Sequence, residues 1–141
     1  EALDQANAAL QTRFAPQINR LAGQYMARMT GGRYDWVQLD RDMAVRAREA
    51  GATAAHPLQA LSAGTADQLY LAVRLAVAET VLPPDAPLVL DDALVAFDDD
   101  RLAAALELLR ELGRRRQILL FTCQRRERAW LDAHGKEDAP A

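Results

Sequence analysis

Two stretches of this sequence carry side chains suited to phosphate chemistry. The first is a turn of small residues, 61–65 (LSAGT), which opens a long apolar segment. The second is the hydrophobic run 87–90, which ends in Asp91 and Asp92. A turn that opens a helix can bind an anion through its main-chain amides, and two acids at the end of a buried strand can hold Mg²⁺ and activate water. Together the two stretches predict half of an ATP-hydrolysing site.

The usual loop for binding a triphosphate is missing from the sequence. None of the seven glycines belongs to a G-x-x-x-x-G-K-[ST] pattern, and the sole Gly-Lys pair, Gly135 and Lys136, precedes Glu137. We therefore expect the phosphate-binding loop to lie on a separate polypeptide segment.

Each stretch also has a purely structural interpretation. Ser62 is a predicted helix N-cap and Gly64 allows close backbone approach, which suits an anion but equally suits an ordinary capped helix. Two strand-end carboxylates repel each other unless a cation or hydrogen-bond donors compensate them. We predict that Asp91 faces Mg²⁺ and that Asp92 orients or deprotonates the attacking water. The alternative is a pair of acids that caps the following turn.

The first half of the chain predicts a helix followed by a hairpin. Apolar residues recur at helical spacing to about residue 30 despite Pro16, and Gly31 and Gly32 then end the helix. Segments 34–39 and 43–48 alternate apolar and polar residues around a turn at 40–42, which predicts two antiparallel strands. We expect a surface loop over 50–60. Segment 66–82 is apolar on nearly every side, which predicts a buried helix.

The second half predicts a strand, a helix and a strand, over 88–90, 101–112 and 117–122, with a short helix over 126–134 and a polar tail. We expect both strands to be buried. A connection of this length implies parallel strands, whose ligand crevice lies at their carboxyl ends. Asp91, Asp92 and Gln124 all fall at that edge.

The composition argues against some classes of protein and indicates a cellular compartment. The net charge of −3 over 141 residues argues against a generic nucleic-acid-binding protein. The single cysteine, Cys123, predicts a small core residue in a protein of a reducing compartment. No leader pattern and no apolar run of membrane-spanning length are present, so we expect a cytoplasmic protein that does not contact membrane.

Taken together, three segments resemble one family. LSAGTADQLYLAVRLAVAE, PLVLDDALVAFDDDRL and QILLFTCQRRE are similar to the C-terminal lobe of an ABC-type P-loop ATPase head of the SMC and SbcC-like DNA repair group, nearest to its YhaN-like members. The resemblance implies an α/β fold with a helix derived from a coiled coil, a β-hairpin and a short parallel sheet flanked by helices. It assigns 1–30 to the end of the coiled-coil arm, 31–135 to the head lobe and 136–141 to a flexible tail.

The resemblance also implies roles for individual residues. The turn matches the signature motif that contacts nucleotide held by the opposite head, through Ser62, Ala63, Gly64 and Thr65. Asp91 matches the Walker B magnesium ligand and Asp92 the catalytic acid. Asp98 matches the acid of the D-loop at the dimer interface, and Gln124 matches the switch residue.

Three of these positions depart from the commonest pattern of the family. Asp92 is one methylene shorter than the usual glutamate, which predicts slow turnover. Gln124 replaces the usual histidine and can donate an amide hydrogen bond to phosphate without carrying a positive charge. Ala63 replaces a glycine, which ordinary backbone angles allow.

The implied function is ATP binding and hydrolysis coupled to DNA repair or DNA binding, with ATP and Mg²⁺ as cofactors. The implied partners are an N-terminal lobe with the phosphate-binding loop, a second head in a homodimer, DNA and a nuclease subunit. Two alternatives stay open: a catalytically weak module that assembles on nucleotide, and the nucleotide-binding subunit of an ABC transporter.

Overall fold

The computed structural model describes residues 2–40, 42 and 44–134, with side chains described from residue 12 onward. The predicted tail at 136–141, Gly135, and parts of the predicted hairpin turn and second strand at Arg41 and Met43 lie outside the described residues. The chain divides into two compact units, one ending at Pro83 and the other beginning at Pro84. Among the described helices, none has both the length and the apolar character needed to cross a bilayer.

The first unit is a long helix, a small antiparallel sheet and a second helix. Its elements are α1 (Ala2–Met29), β1 (Tyr34–Leu39), β2 (Val45–Glu49), β3 (His56–Pro57), a 3-10 turn (Leu58–Ala60) and α2 (Ala63–Val81). The strand order is β1-β2-β3. The predicted helix and hairpin are confirmed, whereas the predicted loop over 50–60 includes β3 and the 3-10 turn.

Helix α1 buries one stripe of side chains against β1 and α2, and Pro16 lies within it without ending it. The stripe recurs every three or four residues and comprises Ile18, Ala22, Tyr25, Met26 and Met29. The helix ends at the predicted glycines, because Gly31 and Gly32 have φ values of 61° and 84°, which favour glycine. The amide of Gly32 donates to the Ala27 carbonyl at 2.7 Å and closes the last turn.

Helix α2 is held against the end of α1 by a buried polar contact. The Gln68 side chain is 3% exposed, and its Nε2 donates to the main-chain oxygen of Met29 at 2.8 Å. Leu69 and Leu75 are buried, but the side chains of Tyr70 and Val81 are each 58% exposed. The prediction that α2 is buried all round is therefore wrong for one face.

A largely apolar cavity of about 560 Å³ borders this face of α2. Its walls come from the hairpin, the 3-10 turn and α2, and include Leu39, Val45, Leu58, Val73, Val77 and Leu82.

The second unit contains the predicted strand, helix and strand. Its elements are β4 (Leu88–Asp91), α3 (Asp99–Gly113), β5 (Ile118–Phe121) and α4 (Arg125–His134). Strands β4 and β5 pair in parallel, with Leu88 opposite Ile118 and Asp91 opposite Phe121, so the predicted crossover is confirmed. The buried stripe of α3 comprises Leu102, Ala105, Leu106, Leu108, Leu109 and Leu112.

The two parallel strands differ from the prediction in burial. Leu88 and Leu90 are buried, but Val89 is 58% exposed and Phe121 is 57% exposed. Side chains alternate along a strand, so Val89, Leu119 and Phe121 share one open face of the two-stranded sheet. Both strands were predicted to be buried, and for this face that prediction is wrong. Cys123 is also exposed rather than part of the core, because it lies in the bend that follows β5.

Gly23 gives the first testable prediction, because it lies where α1 packs closely against the main chain of β1. A Cβ atom there would lie 2.8 Å from the main-chain oxygen of Asp35, whereas a Cβ at Gly113 would meet nothing within 4 Å. Alanine normally favours a helix over glycine. We nevertheless expect Gly23→Ala to lower the free energy of unfolding by about 1–3 kcal/mol through overpacking. Urea unfolding measures this value.

The matched control is Gly113→Ala at the last position of α3. It should leave stability unchanged or raise it by up to about 1 kcal/mol. Equal effects of the two substitutions would contradict the close approach of α1 and β1.

Candidate nucleotide site

The turn over residues 61–65, here called the Ser62 turn, is built around a helix cap. Ser62 has an extended backbone, with φ −62° and ψ 151°, and its Oγ accepts a hydrogen bond from the Thr65 amide at 3.4 Å. The two hydroxyls of Ser62 and Thr65 lie 2.8 Å apart. Ser62 is exposed, whereas Thr65 is 6% exposed. The predicted N-cap is confirmed, and the buried Thr65 hydroxyl orients the exposed Ser62 hydroxyl.

The first two amides of α2, those of Ala63 and Gly64, precede the first intrahelical hydrogen bond and can face an anion, whereas the Thr65 amide donates to Ser62 Oγ. Ala63 is the first residue of α2 and has a helical conformation, so its methyl group causes no backbone strain. Gly64 is not among the glycines with positive φ, so its place in the turn does not require a left-handed conformation. With the positive end of a 19-residue helix behind it, this turn can receive a phosphate oxygen.

The strand-end aspartates, Asp91 and Asp92, lie at the carboxyl edge of the parallel pair. Asp91 is the last residue of β4 and is exposed. The Asp92 amide donates to the Phe121 carbonyl at 2.9 Å, and Asp92 Oδ1 accepts from the Cys123 amide at 3.3 Å. The backbone and the side chain of Asp92 therefore both join the end of β4 to the end of β5.

Asp92 also has an unusual backbone. Its φ of 45° is the only positive value at a non-glycine residue in the described part of the chain. A left-handed conformation costs an L-residue roughly 1–2 kcal/mol, although aspartate and asparagine tolerate it better than most. Backbone strain of this kind is concentrated at functional sites. Asp92 is thus held in one defined position beside Asp91.

The donor set at this edge suits Mg²⁺ only as part of a larger site. No group of three or more His, Cys, Asp or Glu side chains that could enclose a metal ion occurs among the described residues. Mg²⁺ commonly uses one or two carboxylates and completes its octahedron with waters and substrate phosphates. Asp91 and Asp92 fit that pattern, and the nucleotide and its waters would provide the remaining ligands.

Asp98 performs a structural task at the start of α3. Its Oδ1 accepts from the Arg101 amide at 2.9 Å, and its carboxylate forms an ion pair with the Arg101 guanidinium. The amide hydrogen bond from Arg101 is the main cause of the lowered pKa of Asp98, and the guanidinium lowers it further. The N-cap role accounts for this residue without a nucleotide.

Gln124 lies in the bend between β5 and α4, at the same edge as the strand-end aspartates. Its amide donates to Thr122 Oγ1 at 2.9 Å, and its side-chain Nε2 donates to Cys123 Sγ at 3.8 Å. The parallel pairing therefore brings together Asp91, Asp92 and Gln124, as predicted from the crossover. The contacts of Cys123 with Asp92 and Gln124 were not predicted, because they depend on how the two strand ends meet.

Asp98→Asn should change how stability depends on pH. Because the folded-state pKa of Asp98 is lowered, its contribution is fully present above about pH 5 and is lost as the pH falls below about 4, through the folded-state pKa. Asparagine also caps a helix but does not titrate. We expect the stability difference between wild type and Asp98→Asn to shrink as the pH falls from 7 to 3, measured by urea unfolding. A difference that stays constant over this range would contradict the role of the charge.

The sequence is similar to bacterial proteins of much greater length. No known family model matches the sequence. The chain is 36% identical over 111 residues to the uncharacterised protein YhaN of Bacillus subtilis, a match that covers 77% of this chain and 11% of YhaN. It is also 36% identical over 88 residues to the uncharacterised protein Rv1278 of Mycobacterium tuberculosis, covering 62% of this chain and 10% of that protein. The chain thus spans about a tenth of the length of both relatives.

The fold is similar to solved SMC head domains. An SMC ATPase studied for ATP-driven dimerisation and DNA-stimulated activation superposes with a TM-score of 0.72 at 19% identity, covering 89% of this chain and 78% of that one. The SMC head domain from Thermotoga maritima superposes with a TM-score of 0.66 at 21% identity, covering 92% of this chain and 44% of that one. Fold and sequence together confirm that the chain resembles the C-terminal lobe of an SMC-like ATPase head.

Proposed function

We propose that this chain is the C-terminal lobe of an ATPase head that completes an ATP site when two heads pair. The Ser62 turn of one head would contact the γ-phosphate of nucleotide held by the other head. The strand-end aspartates of that other head would face the metal and the attacking water. The observation that carries this proposal is the exposure of both groups, at a capped helix start and at the edge of a parallel pair, in a chain with the SMC head fold.

Each site residue would act through a group that the structure leaves available. Asp91 would hold Mg²⁺, which neutralises charge on the phosphates when it is bound. Asp92 would accept a proton from the attacking water or orient it, since the Cys123 amide occupies only one of its carboxylate oxygens. Gln124 would donate its side-chain amide to the γ-phosphate, which requires exchanging its weak contact with the Cys123 sulfur.

An N-terminal lobe with the phosphate-binding loop is the first partner of this proposal. A parallel sheet is almost always covered on both faces, yet Val89, Leu119 and Phe121 form an open apolar face. The register places Asp91 on the same face, at its carboxyl end. This chain corresponds to 44% of the Thermotoga maritima head domain, so such a head contains much more chain than this lobe. We propose that the N-terminal lobe covers this face and brings its phosphate loop next to Asp91.

DNA is the second proposed partner, and it follows from analogy of fold. One SMC ATPase of similar fold is known for DNA-stimulated activation. The net charge of −3 means that any DNA contact of this chain is local rather than spread over its surface. The proposed location is the cytoplasm, which the exposed free thiol of Cys123 supports because such thiols persist in reducing compartments.

A module that pairs on nucleotide without turnover is the second candidate function. Gln124 favours it, because its amide cannot carry the positive charge of an imidazolium and rests against the Cys123 sulfur. Nucleotide-dependent pairing with no hydrolysis would identify this alternative.

The composite site predicts that hydrolysis needs the N-terminal lobe. We expect no Mg²⁺-dependent ATP turnover by this chain alone, because it lacks the phosphate loop, and measurable turnover when the lobe is added. Phosphate release by the chain, by the lobe and by their mixture provides the measurement. Appreciable hydrolysis by the chain alone would contradict the proposal.

Asp92→Asn separates catalysis from pairing in the reconstituted head. Asparagine tolerates the left-handed backbone and keeps the oxygen that accepts from Cys123, so only the charge is lost. We expect hydrolysis to fall roughly 10²- to 10⁴-fold while ATP-dependent pairing persists. Single-turnover kinetics and light scattering measure the two properties. Lost pairing with retained turnover would refute the role given to Asp92.

A further inference from the structure

The loop over residues 92–98, here called the acid loop, carries both Asp92 and Asp98. Leu94 and Phe97 anchor it in the second unit, with exposures of 0% and 3%. Its internal main-chain hydrogen bonds are a long one from the Val95 amide to Asp92, at 3.4 Å, and one from Phe97 to Leu94, at 3.1 Å. Between the two anchors Val95 is 51% exposed, so burial of its side chain does not hold the middle of the loop, and a contact from another segment can do so.

One arginine makes such a contact. Arg126 lies in the first turn of α4, two residues beyond Gln124, and its side chain is only 32% exposed. One terminal nitrogen donates to the Val95 carbonyl at 3.2 Å, and the other donates to Asp99 Oδ1 at 3.2 Å. A single guanidinium therefore links the middle of the acid loop, the first residue of α3 and the segment that carries Gln124.

We propose that Arg126 is a positioning residue that sets the acid loop relative to Gln124 for ATP hydrolysis. This inference rests on the proposed function. The fork of the guanidinium matters because two acceptors on different segments must be met at once. Both acceptor oxygens are needed for this bridge, whereas the charge of Asp99 adds little because its side chain is 90% exposed.

The consequence for catalysis follows from geometry. Asp92 is fixed at one end of the acid loop by Phe121 and Cys123, and Asp98 is fixed at the other end by Arg101. The Arg126 hydrogen bond to the Val95 carbonyl joins the stretch between them to α4. Losing it would leave that stretch held by Leu94 and Phe97 alone, so the left-handed backbone of Asp92 and its second carboxylate oxygen would be fixed from the strand side only. A misplacement of about 1 Å can cost about 100-fold in rate.

The first test needs no nucleotide and uses the whole chain. Amide hydrogen exchange of peptides covering 92–98 is compared in wild type, Arg126→Ala and Arg125→Ala. Arg125 is the exposed neighbour and makes neither of the Arg126 contacts, so it is the matched control. We expect exchange at Val95 and Phe97 to rise at least about 10-fold in Arg126→Ala alone. Equal exchange in all three proteins would overturn the proposal.

The second test uses the chain reconstituted with its N-terminal lobe. We expect Arg126→Ala to lower kcat about 10- to 100-fold with the KM for ATP unchanged, because the residue does not touch nucleotide. Arg126→Lys should not restore kcat, since an ammonium cannot present the same fork. Asp99→Asn should reduce kcat by less than about 3-fold, in keeping with a weak surface pair.

The outcomes of the two tests are separable. A wild-type head without turnover would refute the proposed function, and the exchange experiment would still decide whether Arg126 holds the acid loop. Normal kcat in Arg126→Ala, in a head whose wild type hydrolyses ATP, would refute the positioning role alone. A fall in kcat that Arg126→Lys fully rescues would show that charge rather than bridging geometry is required, and would also refute it.

Discussion

The parallel pairing of β4 with β5 is the constraint on which the candidate site depends. It places the carboxyl ends of two strands side by side, so that residues far apart in sequence follow the strands at one edge. The amide of Asp92 continues the ladder to Phe121, and the Asp92 carboxylate reaches the Cys123 amide. A change of register by one residue would turn Asp91 to the opposite face and separate these groups. The chemistry assigned to this edge is therefore a consequence of strand register.

The same pairing gives the physical basis for the proposed N-terminal partner lobe. Two parallel strands leave unpaired edges and, here, one uncovered apolar face. Burying that face at roughly 25 cal/mol per Å² would favour association with a segment that covers it. The Ser62 turn has a different basis, since its geometry comes from local capping and the buried Thr65 hydroxyl. The strand-end aspartates thus depend on long-range strand pairing, whereas the Ser62 turn depends on local hydrogen bonds.

Local chemistry explains which features the sequence could predict. Gly31 and Gly32 end α1 because they adopt positive φ, Ser62 caps α2, and alternation marks the hairpin. The strand-helix-strand order was enough to bring Asp91 and Gln124 to one edge. Burial was predicted less well, because one face of α2 and one face of the parallel strands are apolar like a core but are exposed among the described residues. Arg126 and Gln68 could not be found from sequence, because their acceptors are main-chain carbonyls on distant segments.

A mixing experiment tests most directly whether the Ser62 turn and the strand-end aspartates act across two heads. Ser62→Asp keeps a helix cap but brings negative charge to the phosphate, and Asp92→Asn removes the catalytic charge. Each reconstituted variant should be inactive by itself, yet a mixed pair would retain one intact site. Mixing equal amounts should then restore turnover to about a quarter of wild type. Half of the pairs that form contain one copy of each variant, and each such pair has one working site of two. No restored turnover, despite pairing of the two variants, would contradict a site shared between heads.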